Sequence, residues 1–512
     1  MPVLYTLTVF EVLTSVFTAL LIIIILYYKW CFTYWKSRNI PPTRKPKIPF
    51  GTLIYPFLET PVHIAIAIKN AYDNLKKRSC KHGGGFLFLT PKYVLVDPGY
   101  IKNILQKDFE YFSERAFYYN EKDDPISANL FAISGEKWRT FRTHLSPAFT
   151  SGKMKMMFSN MLKCSNEMVN AVLKNENKKA LDVIDITESF TIDVIGSCGF
   201  GIDCNSFKNS NAEFKEQGKK AFRMYPFRIL KIFLGFYCPK IADFLGVTLF
   251  GRESNNFFIK IVKDTIKFRE DNNVNRQDLL QLLIELRNQQ ILKSQEKVFT
   301  IKEITAQVFI FFAAGFETSS TTLSFCLYEL ALHEDIQNKL RDEINTVLNV
   351  HNRHLTYEAI MDMKYMGQVV DETLRKYPPV PYISRRCVKD YIIPNTVIKI
   401  DKGIEALIPI MALHHDSEYY PEPEKFIPER FSDEEKQKRL PFTYLPFGEG
   451  PRLCIGKRFG LLQTKVGLAV LLKHFKFSLH GKTKVPLQIE PFSFTLLAKS
   501  GIFLDVEDII AK

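Results

Sequence analysis

The sequence predicts a mainly α-helical protein with a minor β-sheet region, built as a single large domain behind an N-terminal transmembrane anchor. Three observations lead there. Apolar residues recur at three-four spacing through much of the 512-residue chain, while strand-like stretches are short and confined to a few places. Beyond the first fifty or so residues no internal repeat, low-complexity tract or second Pro- or Gly-rich linker interrupts the chain, which argues for one domain against a length prior of about 150 residues each. A long uncharged run stands near the N-terminus.

That run comes first in the chain. Val12 to Tyr28 carries no charge, and with the mostly apolar residues before Glu11 it is long enough to cross a bilayer as a helix, which takes about 20 residues. Lys29 is the first basic residue, followed by Lys36, Arg38, Arg44, Lys45 and Lys47, and Tyr27, Tyr28, Trp30, Tyr34 and Trp35 cluster at the same edge. Basic residues favour the cytoplasmic side and aromatics the interface, so the N-terminus is expected in the lumen and the rest in the cytosol. A cleaved signal would carry its basic residues before the apolar core, so residues 1–28 are read as an uncleaved anchor. Residues 29–51 are basic and hold Pro41, Pro42, Pro46 and Pro49, which predicts a stiff extended linker; residues 52–512 form the globule.

Within the globule, helices are expected at Pro61 to Lys77, Gly135 to Leu145, Met154 to Lys174, Asp185 to Cys198, Asn211 to Met224, Ser254 to Asp271, Gln277 to Arg287, Ile301 to His333, Asp335 to Leu348 and Tyr365 to Tyr377. Strands are expected within Gly85 to Val96 and Tyr391 to Pro409, with a pair after Phe475. Tyr225 to Phe250 is unusually apolar, and two readings stand side by side: a core helix pair, or a second contact with the bilayer.

Composition excludes several classes. With 46% hydrophobic residues and 24% charged ones the chain is not disordered. Nine cysteines at irregular spacing, with no CxxC pair, do not form a disulfide scaffold or a zinc ribbon. A net charge of +14 leaves nucleic acid, an anionic membrane or an acidic protein as candidate partners.

The chemistry concentrates near the C-terminus, in Phe447-Gly448-Glu449-Gly450-Pro451-Arg452-Leu453-Cys454-Ile455-Gly456. Glycines before the cysteine permit a tight loop and close approach to a flat ligand, and a following helix would stabilise a Cys454 thiolate at its N-terminus. A lone cysteine is otherwise most often a half-buried structural thiol. The loop resembles the haem-binding signature of the cytochrome P450 family, Phe-x-x-Gly-x-Arg-x-Cys-x-Gly, at every fixed position. That resemblance implies the cytochrome P450 fold for the whole globule and Cys454 as proximal ligand of haem b iron, with Phe447, Gly448 and Gly456 shaping the loop.

Further segments agree. Glu317 is the one charge between Glu303 and Glu329, costly in a buried helix unless used. It stands in Ala314-Gly315-Phe316-Glu317-Thr318-Ser319, which resembles the family's distal-helix motif; by that likeness Ala314 lies over the haem, Gly315 opens room for dioxygen, and Thr318 and Glu317 deliver protons. Glu372, Arg375 and the Arg430 of Pro428-Glu429-Arg430-Phe431 resemble the family's structural charge network. Trp138 and Arg142 of a Trp-x-x-x-Arg motif, with Arg385 and Arg452, are nominated for the haem propionates, Arg386 being an alternative to Arg385 one residue away. Phe112, Phe117, Phe131, Ile310, Ala314, Val380 and Phe494 are nominated for the substrate pocket, although aromatics in the 109–131 loop serve equally well as packing under a long loop.

The resemblance covers nearly the whole chain and is closest to insect microsomal P450s of family 6, related to vertebrate family 3. It implies a haem-thiolate monooxygenase using O2 on a lipophilic substrate, with xenobiotic, insecticide or plant-toxin metabolism ahead of hormone or fatty-acid metabolism. No dinucleotide-binding GxGxxG in a strand-helix context is present, so NADPH would act through NADPH-cytochrome P450 reductase, with cytochrome b5 as a second partner, docked on a basic face including Arg139, Lys457 and Arg458. The expected location is the endoplasmic reticulum membrane, and nucleic acid is not an expected partner. The rivals are a reductase-independent haem-thiolate isomerase or dehydratase, and a non-catalytic binder.

Overall fold

A computed structural model describes residues 2–53, 62–175, 179–208, 213–222, 226–292 and 299–509. The helix starts expected at Pro61 and Asn211 and the helix end expected at Met224 lie outside them. The chain packs into two compact units, Met1–Phe112 with Tyr382–Ala412, and Ser113–Pro381 with Leu413–Lys512.

The first unit begins with the helix Pro2–Cys31. Phe10, Phe17, Ile23 and Leu26 on it are exposed, a surface costly in water and suited to a bilayer. The segment expected to be a stiff extended linker packs onto a sheet. Trp35 and Ile40 are buried, the Trp35 indole donates to the Gly85 carbonyl at 2.8 Å, and Arg38 and Tyr34 both donate to Asp401, at 2.5 and 2.7 Å. Gly84 exchanges backbone hydrogen bonds with Pro41 and Thr43. A side chain at Gly84 would collide with Trp35, its Cβ only 2.1 Å from the ring. These side chains are too apolar to leave in solvent, and the prolines lay the chain along an available edge. The sheet runs His82–Leu87, Thr90–Leu95, Glu405–Ile408, Ile383–Arg386, antiparallel except for the parallel second pairing. The expected 391–409 strand region is three short strands, Tyr391–Ile392, Lys399–Ile400 and Glu405–Ile408, the first two paired with each other.

Helices dominate the second unit. At its centre lies Ile301–Leu332, opened by a capping box in which Thr300 and Glu303 satisfy each other's backbone N–H groups. This central helix packs against Val183–Ile195 and Lys457–His474. Gly135–Leu145 has the expected bounds, and Ser151–Lys174, Gly251–Asp271, Leu279–Leu292, Glu334–Val350 and Lys364–Lys376 overlap their expectations with shifted ends. The helix expected to reach Cys198 ends at Ile195 and widens into a π turn, Gly196–Phe200. Phe475–Leu479 pairs with Phe503–Asp508 as anticipated, and Leu181–Asp182 joins them.

Tyr225 to Phe250 contains the helices Pro226–Tyr237 and Pro239–Phe244. They are not a core pair: Phe227 is 63%, Leu230 50% and Phe244 89% exposed.

Candidate active site

The loop before Lys457–His474 is shaped by its glycines. Gly448 and Gly450 take φ of 69° and 75°, conformations that side chains rarely adopt, and the Cys454 N–H closes the loop on the Phe447 carbonyl at 3.0 Å. Cys454 is exposed as a residue, yet protein encloses its thiol closely enough that burial pushes its pKa up. The Gly456 N–H, Arg115, Arg142 and Lys457 act in the opposite direction. The helix starts at Lys457, three residues beyond Cys454, with Gly456 as its cap. Burial therefore outweighs the groups that favour the thiolate.

Three guanidinium groups gather around this loop. Burial lowers the pKa of Arg115 to about 10 and of Arg452 to about 9, and lowers that of Arg142; Arg142 depresses both of the others, and Arg115 depresses Arg452. Such crowding suits bound anions. Arg452 lies over the Trp138 ring at 3.9 Å and donates to the carbonyls of Ser113, Leu130 and Ile133, so it also fastens the 113–133 loop. From the other side Gln307 of the central helix accepts the Leu130 N–H at 2.9 Å. Arg115 was missed in the sequence because it belongs to no motif; its one signal is a cation within an aromatic loop.

The central helix is buried on nearly every side, but Ile310, Ala314 and Thr318, spaced one turn apart, keep accessible surface, most of all Ala314. Thr318 Oγ1 donates to the Ala314 carbonyl at 2.6 Å. The Glu317 carboxylate accepts from Thr495 Oγ1 at 2.6 Å, and burial pushes its pKa up to about 7, the nearby Glu188 charge adding to the rise and Thr495 and Arg228 opposing it. At Gly315 a Cβ would lie 2.4 Å from Ile195 Cδ1, so its smallness serves close packing of two helices.

Phe117, Phe131 and Phe494 meet edge to face, with centroids 4.8 to 6.4 Å apart, and Phe236 joins Phe117 at 5.6 Å. These three nominated rings, with Ile310 and Val380, are half-buried. Phe236 and Thr495 were not nominated, since neither stands in a motif. Two nominated residues belong to the first unit. Phe112 is fully buried against the Tyr391 ring at 5.0 Å, the packing role rather than a pocket surface. Arg385 is 2% exposed on its strand and Arg386 half-buried on the opposite face, so the two are not interchangeable.

Glu372 and Arg375 form a buried bidentate pair at 2.7 and 2.9 Å, and Arg430 approaches Glu372 at 3.5 Å. Arg375 also donates to the carbonyls of His414 and Lys425. Burial and the Arg375 charge keep His414 neutral, with Nε2 accepting the Leu445 N–H at 2.9 Å. The network thus reaches the segment that leads into Phe447.

One enclosed but accessible thiol, a cluster of guanidinium groups and an accessible helix face together fit a haem with its iron, propionates and distal side. The donor chemistry matches: a soft sulfur for iron, guanidinium groups for carboxylates. Comparison with known proteins points the same way. The cytochrome P450 family model matches residues 53–504. The chain is 42% identical over 500 residues to a Drosophila melanogaster protein named Probable cytochrome P450 6a20, covering 96% of this chain and 99% of the relative. It is 41% identical over 505 residues to cytochrome P450 6a8 of the same fly, covering 97% and 99%. Against cytochrome P450 6k1 of Blattella germanica it is 39% identical over 505 residues, covering 95% of each. Similarity of this extent, over nearly the whole length of each chain, makes this chain a member of the cytochrome P450 family.

Proposed function

We propose that this P450 monooxygenase is an endoplasmic-reticulum enzyme that oxidises lipophilic xenobiotics, insecticides and plant toxins included. Its electrons come from NADPH-cytochrome P450 reductase, with cytochrome b5 as a second donor. The observation that carries the reading is Cys454, accessible while enclosed and faced by Arg115, Arg142 and Lys457. Cys454 would hold the iron, and Arg115, Arg142 and Arg452, with Trp138, would hold the propionates; Arg385, in the first unit, is assigned the same role by the family resemblance alone. Bound there, haem would supply the oxygen-activating chemistry by which one atom of dioxygen reaches the substrate, given two electrons and two protons.

The chain's own residues bind, orient and move protons. Phe117, Phe131, Phe494, Ile310 and Val380 present apolar surface to a lipophilic molecule and exclude water from it. Glu317, with a pKa near neutrality, can take a proton and give it up at working pH, and the neighbouring Thr318 hydroxyl can donate toward the distal side when it turns away from the Ala314 carbonyl. Exposed Lys457 and Arg458, with Arg139, favour an acidic reductase surface. Residues 1–28 anchor the chain with a lumenal N-terminus and a cytosolic catalytic domain. The exposed apolar side chains of Pro226–Tyr237 and Pro239–Phe244 make a second bilayer contact.

The test is turnover of a panel of lipophilic compounds in membranes containing the reductase, read by product mass. Oxygenated xenobiotics that require NADPH support the reading. Oxidation of hormones or fatty acids alone would redirect the substrate class. Rearranged product without NADPH would reveal an isomerase, and ligand binding without product a binder.

A further inference from the structure

The turn bearing Phe494 is fixed on several sides. Ile489 pairs with Ala498, the Leu496 N–H donates to the Pro379 carbonyl at 3.0 Å, and Ser493 Oγ bonds to the Thr495 carbonyl. This leaves the Thr495 side chain, 2% exposed, directed at Glu317, itself 7% exposed. The 2.6 Å bond between them joins groups 178 residues apart. Thr318 is the next residue along the helix, and its own hydroxyl is committed to the Ala314 carbonyl, so it does not orient the Glu317 carboxylate. The charged groups that face Glu317 are Glu188, from the neighbouring helix Val183–Ile195, and Arg228, from Pro226–Tyr237. Their effects oppose each other, and among the described residues the hydrogen bond to the carboxylate comes from Thr495.

We propose that Thr495 is the positioning residue of the distal acid: its hydroxyl fixes the Glu317 carboxylate in one orientation and favours its ionised form, so that the acid reloads and releases protons in step with turnover. This deepens the monooxygenase reading and rests on it for the role of Glu317, though the bond itself does not. A hydroxyl that donates to a carboxylate stabilises the charged state, and removing it raises the proton affinity of the acid. Thr495 itself transfers no proton.

The test uses the full-length haem-loaded enzyme with Thr495→Val, which keeps the shape and loses the hydroxyl, and Thr495→Ser, which keeps the hydroxyl. Infrared difference spectra of the carboxyl band, identified by its loss in Glu317→Gln, are followed across pH without reductase. The expected result is a Glu317 midpoint raised by about one pH unit in Thr495→Val and restored in Thr495→Ser. In turnover, Thr495→Val should move the alkaline limb of the product-to-peroxide ratio by the same amount. A midpoint unchanged in Thr495→Val overturns the proposal, as does a shift that Thr495→Ser fails to restore. The carbon-monoxide spectrum of the reduced wild-type enzyme separates this failure from that of the haem-thiolate reading, which the infrared band does not depend on.

Discussion

Burial makes the charged form of Glu317 the less stable one inside the protein, with consequences for stability as well as catalysis. Its pKa rises from an ordinary 4.5 to about 7, so between those values the folded chain holds a proton that the unfolded chain has released. The contribution of this group to stability is therefore intact below about pH 4.5 and lost as pH rises through about 7. Glu317→Gln should gain about 1–3 kcal/mol over the wild type between mildly acidic and mildly alkaline solution, measured by denaturant unfolding at both ends. Thr318→Ala should leave haem content intact and divert reducing equivalents into hydrogen peroxide several-fold, read by peroxide formed per NADPH consumed; unaltered coupling contradicts its proton-delivery role. Cys454, Glu317 and Thr318 were legible because each stands in a local pattern with a chemical reason behind it. Arg115, His414 and Thr495 were not, because what makes them matter is a partner that only the fold brings near.

At the scale of elements, the pair Glu372 and Arg375 shows how a short motif acquires meaning from burial. Three residues apart on an exposed helix they would contribute little, but both side chains are fully buried and the pair binds Ile427, His414 and Lys425 besides each other. Glu372→Ala leaves Arg375 charged without its carboxylate and should cost about 3–5 kcal/mol, measured by urea unfolding of the haem-loaded enzyme. Loss of haem at lower urea than in the wild type would accompany it, since the network reaches the cysteine loop through His414. Long helices were readable from periodicity, Gly135–Leu145 to the residue. Ile383–Arg386 was not, because four residues with adjacent arginines carry no recognisable alternation; their pairing with Glu405–Ile408 makes them a strand. At Gly315 a missing side chain says that something comes close, and only the structure names Ile195.

Across the whole molecule, the anchor and the apolar helices of 226–244 make a joint prediction. Deleting residues 1–28 should weaken membrane association without abolishing it, and further changing Phe227, Leu230 and Phe244 to Ser should remove the rest, measured by flotation with phospholipid vesicles. A truncated chain that no longer binds vesicles would contradict the second contact. The 29–51 segment shows the limit of reading linkers from composition: its prolines predict a linker, but Trp35 and Ile40 are buried and the segment packs. The central claim concerns one sulfur. Replacing Cys454 by Ser in the full-length protein and recording the carbon-monoxide difference spectrum of the reduced protein tests it most directly. The wild type should give the thiolate-type band and Cys454→Ser should lose it, while an unchanged thiolate-type band in Cys454→Ser would contradict the assignment of Cys454 as the haem iron ligand.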